Sequence, residues 1–229
     1  MCLILLGWRV REDAPLVVAA NREEFHARPA GRAAFWKDKP AILGGRDLEA
    51  GGTWMGLSRS GRFAAVTNVR GGRDPAARES RGALVTRFLE GVMPAADYVA
   101  ELAPRGAGYS GFNLLAGDGT ELWWLSNRAG PPRRLEDGVF GLGNDFLDAD
   151  EPAVREGKAR LAERLGHPPG MDALMDVLAP ARLTAPQYGT RCSTACVIGG
   201  DGRVAYAERA FEADGREGET VRFEFLLAA

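Results

Sequence analysis

Residues 1–24 read MCLILLGWRVREDAPLVVAANREE. The run CLILLGWRV ends in a charged turn, REDAP, and LVVAAN returns as a second apolar run, which predicts an antiparallel hairpin over residues 2–20. In such a hairpin the first residues of one strand lie beside the last residues of the other, so Cys2 falls close to Asn21 and Arg22. Cys2 directly follows the initiator, and methionine is commonly trimmed when the next residue is small. A trimmed chain would carry a thiol and a free α-amine on the same residue. The structural alternative is that Cys2 serves the strand as a small hydrophobe.

The remaining elements extend this pattern. TWMGLSRSGRFAAVTNV (53–69) reads as a second hairpin turning at SRSGR. The Gly- and Pro-dense stretch between the two, residues 28–52, reads as an irregular connection. RGALVTRFLEGV (81–92) places Leu84, Val85, Phe88 and Leu89 at helical spacing, and AADYVAELA (95–103) continues helical after Pro94. FNLLAGDGTELWWLSN (112–127) predicts a hairpin with a DG turn, followed by a short strand at GVFGLGN (138–144). EPAVREGKARLAERLG (151–166) has Pro152 in its first turn and Gly166 at its end, a helix signature, and MDALMDVLA (171–179) predicts another helix. Two runs flank GGDG within residues 188–211, and TVRFEFLLA (220–228) closes the chain. Strands at both ends with helices between them imply a mixed α/β domain built on antiparallel hairpins, read as one domain over residues 1–229.

Bulk properties exclude several classes. With 229 residues, 45% of them hydrophobic, the chain is long enough for a substantial core. Its 29 basic and 31 acidic residues leave a net charge of −2, with no basic footprint for nucleic acid and no basic tail for an anionic membrane. Three cysteines do not make a disulfide framework. Cys192 and Cys196 lack metal-binding partners, because His26 and His167 sit in no ligand pattern, so no metal site is expected. No stretch reaches the ~20 apolar residues of a membrane-spanning helix. The N-terminal run meets Arg9, Arg11, Glu12 and Asp13 at once and reads as a strand, not a signal peptide, so a cytoplasmic location is expected.

The chemistry concentrates in NREEFHARP (21–29). Arg22 beside a thiol favours the thiolate, and Glu23 or Glu24 could orient an α-amine. That amine, with an ordinary pKa near ~8, could take the thiol proton without a histidine. The plainer reading is a solvated turn with ion pairs of little worth. Trp54 is a candidate ligand contact, whereas Trp123 and Trp124 are adjacent in a strand and must face opposite ways. Ser193 has no evident base, and the GGDG and GDGT turns open no helix, so neither is a phosphate loop.

Asn21-Arg22-Glu23-Glu24 resembles the N-R-D-E signature of the NRDE family, also called the transport and Golgi organization protein 2 family. The Met-Cys start, GGTWMG (51–56), AVTN (65–68), FNLL (112–115), GLGN (141–144) and YGTRCST (188–194) follow the same order along nearly the whole chain. The departure is Glu23, where the family name implies Asp. The resemblance implies an Ntn-hydrolase-like fold, a four-layer αββα sandwich of two antiparallel sheets between helices. It also implies a cysteine amidohydrolase chemistry on a non-peptide carboxamide. Carried over by position, Cys2 is the nucleophile, Arg22 its activating cation, and Glu23 or Glu24 the acid that holds the amine. Asn68 and Asn144 polarise the carbonyl, and Arg191 is a second charge near the thiol. Beside these carried-over roles, Asn21 and Trp54 are candidate binding residues. No cofactor is required for this chemistry. The same resemblance carries an alternative, a non-catalytic binding or trafficking protein for haem or a lipid-like ligand. His26 could ligate haem, although a lone loop histidine is far more often an ordinary surface residue. The expected partner is a small amide or an amphipathic molecule, with no nucleic acid and no stable membrane insertion.

Overall fold

A computed structural model describes residues 2–71, 74–168 and 170–228. Met1, on whose removal a terminal α-amine depends, lies outside them. The strands are β1 (Leu3–Trp8), β2 (Leu16–Phe25), β3 (Ala30–Phe35), β4 (Ile42–Asp47), β5 (Met55–Ser58), β6 (Phe63–Asn68), β7 (Phe112–Gly117), β8 (Leu122–Ser126), β9 (Arg133–Arg134), β10 (Gly138–Leu142), β11 (Tyr188–Ile198), β12 (Arg203–Phe211) and β13 (Glu217–Leu226). The helices are α1 (Gly82–Glu90), α2 (Ala95–Leu102), α3 (Pro152–Arg164) and α4 (Met171–Asp176). The chain divides into two compact units. One comprises Met1–Arg28, Asp137–Gly143 and Leu147–Leu227, the other Pro29–Glu136, Asn144–Phe146 and Ala228–Ala229. No helix is long and apolar enough to cross a membrane among the described residues.

The first unit is a six-stranded antiparallel sheet in the order β10-β1-β2-β11-β12-β13. Leu3, Leu5, Val17, Ala19, Ala195, Val197 and Ala207 form one core cluster with Val154 and Leu161 of α3 and with Leu174 and Met175 of α4. Their alternates Ile4, Leu6, Val18, Ala20 and Cys196 are equally buried. Strands covered on both faces need apolar residues at every position, which is why LILLGW and LVVAA run without the alternation of a half-exposed strand. Glycines bring α3 against β1 and β10. A Cβ on Gly7 would stand 2.7 Å from a Leu165 methyl, and one on Gly141 would stand 2.8 Å from Val154. Gly141 of the GLGN motif is thus explained by helix packing.

The second unit is a seven-stranded antiparallel meander, β3 to β9 in chain order. Ile42, Ala64, Val66, Phe112, Leu114 and Leu125 pack against Leu84, Val85, Phe88 and Leu89 of α1 and against Val99 and Leu102 of α2. Trp123 packs on this cluster, while Trp124, on the opposite side of β8, meets Phe146 edge-to-face at 6.4 Å. Buried Arg62 donates to the carbonyls of Phe88 (2.8 Å) and Met93 (2.7 Å), satisfying the end of α1.

Residues 28–52 correct the sequence expectation: they contain β3 and β4, not an irregular connection. β3 is an edge strand with only Ala33 well buried, so it shows almost no apolar pattern. β4 has its two core residues, Ile42 and Leu43, in front of a Gly pair. A Cβ on Gly44 would stand 2.7 Å from the Met55 carbonyl oxygen. The GGTWMG motif is likewise a packing device. A Cβ on Gly52 would stand 2.7 Å from the Gly82 carbonyl group where α1 begins, and Thr53 Oγ1 donates to the Met55 carbonyl at 2.8 Å.

In the DG turn of the β7–β8 hairpin, Gly119 takes φ +90°, a conformation that favours glycine. Asp118 accepts backbone N–H bonds from Thr120 and Glu121 (both 2.9 Å) and from Ala95 at the start of α2 (2.8 Å). Burial alone would raise this carboxyl, but these bonds and the Thr120 hydroxyl bring it down to about 2.

Two outcomes follow. Gly52→Ala forces a Cβ into backbone and should lower unfolding free energy by about 1–3 kcal/mol in urea titration. Because folding depresses the Asp118 pKa, wild type should exceed Asp118→Asn in stability by about 1–2 kcal/mol, after allowing for solvent screening, at neutral pH. That margin should shrink as pH falls from about 4 towards 2, readable from thermal melts across that range.

Candidate active site

β1 and β2 pair with Leu3 opposite Asn21, which sets Cys2 beside the segment Arg22-Glu23. The half-buried Cys2 thiol contacts Glu23 on both backbone groups: Sγ accepts from the Glu23 N–H at 3.3 Å and donates to its carbonyl at 3.5 Å. Burial pushes the Cys2 thiol up, against the lowering by the Glu23 N–H and by Arg22. Arg22 was expected to favour the thiolate; its attraction is present but smaller than the desolvation, so the net shift favours the neutral thiol.

The acids of the signature divide sharply. Glu24 is engaged: one oxygen accepts from the Phe25 N–H at 2.9 Å, the other lies 3.5 Å from Arg22 Nη2 and 3.8 Å from Arg28 Nε. Glu23 is 4% exposed, and its Oε1 accepts from Thr190 Oγ1 at 2.7 Å. Glu23 Oε2 and Arg22 Nη1 are buried and have no hydrogen-bond partner among the described residues. Burial raises the Glu23 carboxyl, partly offset by the Thr190 hydrogen bond.

The other candidates take different places. Asn21 is 0% exposed, with Oδ1 accepting from Ser193 Oγ at 2.6 Å and Nδ2 donating to the Leu178 carbonyl at 3.3 Å. It shares the helix side of the sheet with Val17 and Ala19, and its amide is satisfied in the interior. Trp54 packs against the α1–α2 core. Arg191 commits Nη1 to the carbonyls of Phe25 (2.9 Å), His26 (3.2 Å) and Arg28 (3.1 Å), clamping the loop after β2. Asn68 and Asn144 are brought together within the seven-stranded unit, where Asn144 Nδ2 donates to the Asn68 carbonyl at 2.6 Å. His26 Nε2 lies 3.0 Å from the Ala185 carbonyl oxygen.

Three residues were missed. Thr190 holds Glu23, and Tyr188 donates from Oη to the Glu23 carbonyl at 3.2 Å. Both lie in YGTRCST, and pairing that run with β2 would have found them. Buried Asn113 of FNLL donates to the Asp145 carbonyl at 2.6 Å and to Thr67 Oγ1 at 3.2 Å, fixing the segment next to Asn144. Its signal was an amide inside an otherwise apolar run.

Burial raises Cys192 and Cys196 as well, Cys192 with a further push from Glu208. At neutral pH iodoacetamide should therefore modify Cys2 alone, with Cys192 and Cys196 reacting only in denaturant. The Cys2 rate should climb about tenfold per pH unit between 6 and 7.5, as expected when the thiolate is the minor form. A plateau in that range would show a thiolate already formed.

Comparison with known proteins gives this geometry its context. The solved structure of a Caenorhabditis elegans N-acylethanolamine-hydrolyzing acid amidase ortholog matches 86% of this chain and 92% of its own, with TM-score 0.59 and 12% identity. The C2A mutant of conjugated bile acid hydrolase from Clostridium perfringens matches 98% of this chain and 97% of its own, with TM-score 0.56 and 9% identity. These likenesses give the chain an Ntn-hydrolase-like fold of two antiparallel sheets with helices, as expected. In sequence, the chain is 31% identical to the human Transport and Golgi organization protein 2 homolog over 99% of both chains. It is 30% identical to Transport and Golgi organization protein 2 of Drosophila melanogaster over 62% of this chain and 56% of that protein. The family model for Transport and Golgi organisation 2 matches residues 1–185, which include the Cys2 hairpin, Asn68, Asn144 and Leu178, whose carbonyl accepts from Asn21. On that match and the full-length relatives, the chain belongs to the Transport and Golgi organisation 2 family.

Proposed function

We propose that the protein is an N-terminal-nucleophile cysteine hydrolase acting on a non-peptide carboxamide C–N bond. The observation that carries the reading is the buried, unpartnered Glu23 Oε2 on the residue whose backbone holds the Cys2 thiol. A buried carboxylate oxygen without a partner is costly, and a Cys2 α-amine freed by removal of Met1 is the donor that would satisfy it. Glu24 is already occupied, so Glu23 is the acid assigned to the amine. The names of the two solved structures, an acid amidase and a conjugated bile acid hydrolase, support the reaction class.

The steps follow from these roles. The neutral α-amine of Cys2 takes the thiol proton as Sγ attacks the carboxamide carbon, which suits a thiol that rests protonated. Collapse of the tetrahedral adduct breaks the C–N bond, and the ammonium of Cys2 returns a proton to the departing amine. A thioester to Sγ remains. Water then attacks it, giving its proton to the α-amine, and the carboxylic acid leaves as the thiol is restored. Arg22 stabilises negative charge on sulfur, and Glu23 keeps the amine oriented through both halves.

Intact-mass and N-terminal peptide analysis should find Met1 removed. Cys2→Ala should abolish hydrolysis of a panel of N-acyl amides, followed by amine release, without altering the thermal melt. Full turnover in purified Cys2→Ala, or a retained Met1, would end the reading.

A further inference from the structure

Phe25, the last residue of β2, is 58% exposed, although it continues directly from a buried core strand. Its ring meets Tyr188 edge-to-face, with centroids 5.2 Å apart. The Tyr188 hydroxyl donates to the Glu23 carbonyl at 3.2 Å, and Cys2 Sγ donates to that same oxygen at 3.5 Å. One backbone carbonyl therefore ties the aromatic pair to the candidate nucleophile. Leu183 is a further apolar residue at this end of the sheet, 41% exposed, and its backbone exchanges hydrogen bonds with Thr190, the residue that holds Glu23. Phe25 and Leu183 are thus two exposed large apolar residues at the same end of the β2–β11 pair, with the half-buried Tyr188 ring against Phe25. Exposed apolar surface of this kind marks a binding site more often than scattered residues do. The Arg191 clamp on the Phe25, His26 and Arg28 carbonyls fixes this corner, so the surface is preorganised.

We infer that Phe25 and Tyr188, with Leu183 beside them, form the recognition surface for an apolar acyl group of the substrate. This rests on the hydrolase reading above. The acyl part is the portion that stays on Sγ through both half-reactions, so the surface that selects it must lie next to the sulfur. The amine part leaves first and need not touch this corner. The Tyr188 ring supplies apolar area, while its hydroxyl is held by Glu23 and holds the ring in place.

A substrate-free test uses two alkylating reagents of equal warhead, iodoacetamide and N-hexyl iodoacetamide. Their rates at Cys2 are measured by peptide mass spectrometry on the full chain, each divided by the reagent's rate with glutathione. Wild type should favour the hexyl reagent by about tenfold, the scale of burying part of an alkyl chain. Phe25→Ala should lower that preference at least about threefold, Leu183→Ala should lower it less, and Tyr188→Phe should retain it. Val92→Ala, which trims an unrelated exposed apolar side chain, should leave it unchanged. Thermal melts check that each variant is folded, and Leu183→Ala carries the test if Phe25→Ala is not. A preference near one in wild type, or one indifferent to Phe25 and Leu183, overturns the inference. Retained Met1 with slow Cys2 labelling defeats the hydrolase reading by a separate measurement, so the two failures are told apart.

Discussion

A one-residue irregularity in the pairing of β2 with β11 sets the geometry on which the candidate site depends. Thr190 pairs with Glu23 and Cys192 with Arg22, so β11 has one more residue than β2 between those rungs, and that residue is Arg191. A bulge bends its strand and re-aims the extra side chain. Here it turns the Arg191 guanidinium onto three carbonyls of the loop after β2, while Thr190 remains opposite Glu23 and bonds its carboxylate. Without the extra residue, one register would have to serve both the core rungs, Ala19 to Ala195 among them, and the polar rungs at the strand end.

The same arrangement explains why polar groups collect at this end. From Leu16 to Ala20, β2 and its β1 partners carry no polar side chain because both faces are buried. Charged residues begin at the last rungs of β2, where Arg22 and Glu23 are still buried and only Glu24 and Phe25 become more open. Asn21 satisfies its amide inside the protein through Ser193 and Leu178, Glu24 neutralises Arg22 and Arg28, and Arg22 and Glu23 each keep one buried atom unpaired. Unpaired buried polar groups are costly, and Asn113 Oδ1 and Trp124 Nε1 in the other sheet share this condition, so what sets Arg22 and Glu23 apart is that their unpaired atoms lie on neighbouring residues beside Cys2.

Much of the family signature has a structural explanation that does not involve chemistry. Gly52 admits the start of α1, Gly141 admits α3, and Asn113 ties β7 to the segment before Phe146. Ordered motifs therefore identified the family without each marking a catalytic residue. Burial weighed against charge gives a further lesson: Arg22 does pull on the Cys2 thiol, yet desolvation outweighs it, so a mechanism with a base acting during attack fits better than a preformed thiolate.

The sequence by itself determined the local elements. Apolar runs, Gly turns and helical spacing placed the hairpins at 2–20, 53–69 and 112–127 and the helices near 82–90, 95–102 and 152–164, because those signals reside in neighbouring residues. Hairpin geometry also put Cys2 close to Asn21 and Arg22, and the structure adds the Glu23 backbone as its contact. Only the tertiary structure decided the rest. β3 and β4 are strands because neighbours pair with them, and their own side chains hardly show it. The different surroundings of Glu23 and Glu24, the inward turn of Asn21 and the loop clamp of Arg191 all depend on β11, which arrives some 165 residues after β2. Contacts across that separation are set by register and burial, and neither is written in the local composition of the strands that meet.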